Sequence, residues 1–154
     1  MNLDLTYLPL EDRMRFSVRG NVDWLITRSL LLQLVVVLVQ KLQDIDLPNV
    51  GFPLGQRNIS QEHALSLEFD APKLSSTNLE PAAQMLLLQE VTLSVDELGA
   101  KLAMRGQGLE IEMNFTRKES HLVLEMLAQK AREAKWLEAV ELPDWLGVPA
   151  QVLI

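Results

Sequence analysis

The sequence predicts an α+β fold: two β-β-β-α units whose strands build one curved, mainly antiparallel sheet or open barrel, with two long helices packed on it. Three observations carry this expectation. Short stretches near the start alternate between apolar and polar residues, as half-buried strands do. An apolar run at residues 30–39, broken only by Gln33, follows them. The same order of three zigzags and a long periodic stretch returns from about residue 89.

In the first unit, residues 1–45, Leu3, Leu5 and Tyr7 share one face of a first strand. Met14, Phe16 and Val18 share a face of the second, with Arg13, Arg15, Ser17 and Arg19 opposite. Val22, Trp24 and Ile26 make the third. Pro9 interrupts the first connection and Gly20-Asn21 supplies the second turn. Thr27 can cap a helix over 28–44, whose polar residues Ser29, Gln33, Gln40 and Asp44 form only a narrow stripe. Most of that helix must therefore be covered.

Residues 46–81 contain Pro48, Pro53, Pro72 and Pro81 and read as an irregular crossover. Alternation of Leu65, Leu67 and Phe69 predicts one embedded strand near 64–70, pairing at an edge. The second unit spans 89–138. Val91, Leu93 and Val95 alternate, Asp96-Glu97-Leu98-Gly99 turns the chain, and Leu102 and Met104 oppose Lys101 and Arg105. Gly106-Gln107-Gly108 makes a tight turn, and Leu109, Ile111, Met113 and Phe115 alternate with Glu110, Glu112 and Asn114. Thr116-Arg117-Lys118-Glu119 is a capping box for a helix over 117–138, apolar along Val123, Leu127, Ala131 and Ala134. Arg19-Gly20 and Thr27-Arg28 correspond to Arg105-Gly106 and Thr116-Arg117, which suggests an internal repeat. Residues 139–154 form an apolar, proline-punctuated tail that should dock against something.

The 154 residues suit a single domain, and 48% hydrophobic content excludes wholesale disorder. With no cysteine, disulfides, thiolate metal sites and cysteine nucleophiles are excluded. The start lacks a basic stretch followed by an apolar core, and the apolar run is too short to span a bilayer, so the expected location is cytoplasmic with no membrane contact. Residues 1–60 carry six basic and six acidic side chains, which puts the whole net charge of −7 after residue 60.

No nucleophile elbow, phosphate loop, dinucleotide fingerprint or HExxH zinc pattern occurs, so neither enzyme activity nor a cofactor is expected. The two histidines, His63 and His121, have carboxylates close in sequence. His121 lies in a first helical turn between Glu119 and Glu125, where a solvated face is the expectation. Glu110 and Glu112 should meet Lys101 and Arg105 as cross-strand ion pairs.

Two functional expectations follow. Trp136, Trp145, Leu146, Val152, Leu153 and Ile154 are large apolar groups of the kind enriched at interface centres, pointing to a non-catalytic assembly or adaptor module with a protein partner or a second copy. The alternative is single-stranded nucleic-acid binding. Arg13, Arg15 and Arg19 share one strand face, and Lys101 and Arg105 occupy matching positions in the second unit. In order of elements the chain is similar to single-strand binders of the whirly type, though it carries no motif of theirs. Net acidity opposes that alternative, as does the placing of Phe16, Trp24 and Phe115 on the apolar phase, away from any base.

Overall fold

The computed structural model describes residues 3–18, 22–44, 59–68, 84–143 and 145–146. Strands β1 (Leu3–Leu8), β2 (Arg13–Val18) and β3 (Val22–Thr27) form an antiparallel meander, and helix α1 (Arg28–Asp44) follows directly. Its N-cap is Thr27, whose hydroxyl accepts from the Leu30 N–H at 3.4 Å. Helix α2 (Ile59–Glu68) and strand β4 (Gln84–Leu87) come next. A second meander, β5 (Glu90–Val95), β6 (Gly99–Gly106) and β7 (Leu109–Thr116), leads into helix α3 (Arg117–Glu133). No helix among the described residues is long and apolar enough to cross a membrane.

The fold is α+β, as expected, but the single curved sheet resolves into two. One has the order β1-β2-β3-β4 and the other β5-β6-β7, and the described strands close no barrel. β4 pairs with β3 in parallel, which requires a long crossover, and the stretch holding α1 and α2 supplies it. The chain passes between the sheets at Leu88 and Gln89. The Leu88 N–H bonds to Leu25 O at 2.9 Å in the first sheet, and the Gln89 N–H to Arg105 O at 2.9 Å in the second. The sheets meet closely there: a Cβ on Gly106 would lie 2.1 Å from Leu87 O.

The strand expected near 64–70 is overturned, since Ile59–Glu68 is helical and residues 69–70 lie outside the described set. Among the described side chains of this helix Glu62, His63 and Ser66 are buried, while Leu65 is exposed. The Leu65/Leu67 alternation therefore did not mark the buried face. The second long helix stops at Glu133, short of the expected 138. Lys135 takes a left-handed φ of 62°, while the Trp136 N–H reaches Ala131 O at 2.8 Å and the Lys135 N–H reaches Arg132 O at 3.0 Å. That is a Schellman motif, and it ends the helix.

Registers confirm the expected faces. Leu5, Phe16, Trp24 and Leu86 stand abreast across the first sheet, and Leu93, Leu102 and Met113 across the second. Side chains of both sheets, α1 and α3 join one apolar core. α3 is the most enclosed helix, touching α1, α2 and strands of both sheets. A void between α1, α3 and the second sheet measures about 10 Å³, room for at most one water, so it offers a ligand no space.

Candidate functional site

The polar residues of α3 are where the sequence misleads. Arg117, His121 and Glu125 are spaced four apart, so they fall on one helix face. That face is covered by α2, and all three are buried, His121 completely. Burial corrects the expectation of a solvated histidine. The capping box forms as expected: Thr116 Oγ1 accepts from the Glu119 N–H at 3.1 Å, and Glu119 Oε1 accepts from the Thr116 N–H at 3.0 Å. It fixes the first turn of α3 and so aims Arg117 and His121 at α2 and at the end of α1.

Arg117 joins three helices. Its Nε donates to Glu62 Oε2 at 2.7 Å and its Nη2 to Glu62 Oε1 at 3.2 Å, a two-pronged grip on α2. Nη2 also donates to Leu42 O at 2.7 Å, placing a positive charge on the C-terminal carbonyls of α1, where the helix dipole favours it. Burial alone would raise the Glu62 pKa. The hydrogen bonds and charges of His121 and Arg117 outweigh it and hold the carboxyl down at about 2.

The two histidines meet at the centre of this seam. His63 Nδ1 lies 2.9 Å from His121 Nδ1, and each outer nitrogen faces a carboxylate from the other helix. His63 Nε2 is 3.4 Å from Glu125 Oε1, and His121 Nε2 is 3.2 Å from Glu62 Oε2. The second brings the His121 ring against the Glu62 carboxylate, a charged pair only when the ring is protonated. A hydrogen bond across the Nδ1 contact needs a proton on one nitrogen and a lone pair on the other. Between those facing atoms there is room for one proton and not two. Burial depresses the His121 pKa; Glu62 opposes that shift, and the charges of His63 and Arg117 add to it. Among the described residues no three histidine or carboxylate side chains are arranged so that they could hold a metal ion.

Trp145 is half-buried, its ring centroid 4.9 Å from that of His63 and 6.3 Å from that of His121. Leu146 is buried. Trp136 is buried too: its Nε1 donates to Asp12 Oδ1 at 2.9 Å, its ring meets Tyr7 edge-on at 5.8 Å, and the Arg28 guanidinium lies 5.7 Å from its centroid. The described aromatic end of the chain thus packs on the chain itself, because a turn at Lys135 folds it back. Val152, Leu153 and Ile154 lie outside the described residues.

The cations do not line one sheet. β2 and β6 belong to different sheets, so Arg13 and Arg15 share no sheet with Lys101 and Arg105, and Arg19 lies outside the described residues. Arg15 lies 3.7 Å from Asp23. Lys101 pairs with Glu112 at 3.4 Å, and Arg105 with Glu110 at 3.1 Å and Glu90 at 3.3 Å, the expected cross-strand pairs. A phosphate backbone would have to displace these carboxylates.

Among the described residues β1, β4, β5 and β7 each have a single strand partner, and the longest of these edge strands, β7, pairs only with β6. The Arg117 N–H bonds to Leu98 O, which sets the alternation of the ladder. From it, the main-chain groups of Glu110, Glu112 and Asn114 point away from β6, toward the open edge, while those of Thr116 are taken by Glu119 Oε1 and Ser120 Oγ. Compared with known proteins, the chain matches no family model, no curated protein and no solved structure.

Proposed function

We propose that the chain is a non-catalytic assembly or adaptor module that takes an extended segment of a protein partner onto the edge of β7. The open edge of this eight-residue strand carries the reading. Such edges are templates for an added strand, with main-chain hydrogen bonds supplying affinity and alternate side chains supplying selectivity. Glu110 and Glu112 are half-exposed beside that edge, so the complementary segment carries lysine or arginine at alternate positions. A second copy suits it less. Antiparallel self-pairing sets Glu112 against Glu112 or Glu110, and like charges placed opposite are destabilising.

The test uses a synthetic peptide alternating lysine and valine, with backbone amide shifts of the full chain as the readout. Shifts should centre on residues 110–116 and vanish in Asn114→Pro, whose lost N–H faces outward and leaves the β6 ladder intact. Shifts elsewhere, or none, overturn the reading. So does a dimer by size-exclusion mass that Asn114→Pro dissociates, because the occupant is then a second copy.

A further inference from the structure

The seam between α2 and α3 is ionisable at its centre. A helix of ten residues is marginal in isolation, so α2 depends on its docking, and its main neighbour among the described elements is α3. It docks through Glu62, His63 and Ser66, all polar and all buried. We propose that α2 is an acid-released clasp, held on α3 while His63 and His121 have one proton between their facing nitrogens and freed once each ring takes its own.

The mechanism is a proton count. With α2 docked, the 2.9 Å Nδ1–Nδ1 contact excludes a second proton, because two N–H groups would meet head-on. Both rings are almost fully buried, 3% and 0% exposed, so no water shell softens that repulsion. The described groups facing the pair are Glu62 from α2, Arg117 and Glu125 from α3, and the Trp145 indole, with Arg117 in turn held by the Leu42 carbonyl of α1. Once α2 leaves, the two Nδ1 atoms no longer face each other, and each ring can take its own proton. The released state therefore binds more protons than the docked one, and docking weakens as pH falls.

The depressed pKa of His121 has the same sign: its contribution is complete above the released pKa and is lost as pH drops below it. Glu62, held down at about 2 when docked, contributes fully above its ordinary value of 4.5 and loses its share only below that. The first acid step thus belongs to the histidine pair. The inference stands apart from the strand-edge reading, since it uses the seam between α2 and α3 and not the open edge of β7.

Amide hydrogen exchange on the full chain tests it, corrected for intrinsic rates, between about pH 7.5 and about pH 5.5, either side of the ordinary histidine pKa. Protection across α2 should fall about tenfold per pH unit below about pH 6.5, while β6 and α1 keep theirs. In the double variant His63→Asn/His121→Asn, each amide replaces an Nδ1 without titrating, and α2 protection should be flat over that range. Should that variant not fold, the fluorescence lost in Trp145→Phe serves instead; in the parent chain it should change with the same midpoint as the α2 amides. Unchanged α2 protection, simultaneous loss from every element, a persistent acid step in the double variant, or a fluorescence midpoint near the carboxylate range each overturn the proposal.

Discussion

Arg117 shows how much one side chain can organise. Its guanidinium grips Glu62 on α2 and caps the last turn of α1 through Leu42 O, while its backbone begins α3. Removing one partner from a buried pair strands the other charge. Arg117→Met should therefore lower stability by roughly 3–5 kcal/mol, read as a lower urea midpoint at unchanged slope. A loss below about 1 kcal/mol would mark the pair as solvated, behaving like an ordinary surface ion pair. The site was only partly legible at this scale. Glu62-His63 and His121 stood out because the chain has only two histidines. Their contact could not be read, because it spans 58 residues and each ring finds its carboxylate on the opposite helix.

The elements divide according to what their apolar period reports. α1 and the six strands of the two meanders face a greasy core, so alternation and the long apolar run located them, and α1 matches its expected span of 28–44. α2 buries a polar face, so its period misled. β4 lies in a short unbroken apolar run, Met85 to Leu88, with no alternation to read. α3 ends where a lysine adopts a conformation that favours glycine. Lys135→Gly should relieve the left-handed strain and raise stability by about 1 kcal/mol, with the buried Trp136 unchanged. No gain in the urea midpoint would show that other contacts of Lys135 offset its backbone cost.

Across the whole molecule, the join between the sheets is the tightest point. Gly106 leaves the gap that lets β6 approach Leu87 O and the Trp24 ring, where a methyl would sit 2.1 Å and 3.1 Å from them. Gly106→Ala should cost roughly 1–3 kcal/mol through overpacking, seen in thermal or urea unfolding. A neutral result would show that the join yields by a small shift. Gln107 braces the same corner: its side chain accepts from the Leu87 N–H, and its own N–H donates to Gln89 Oε1, both at 3.0 Å.

The sequence by itself determined the α+β class, the two three-strand meanders, the turns at 96–99 and 106–108, and the capping box at Thr116. Each is a local pattern whose signal lies within a few residues of its effect. Only the tertiary structure decided that the strands divide into two sheets, that α2 is a helix, that the basic strands β2 and β6 fall in different sheets, and that both histidines share one buried contact. Those outcomes depend on which distant side chains meet, and burial of a polar group depends on its partner being there.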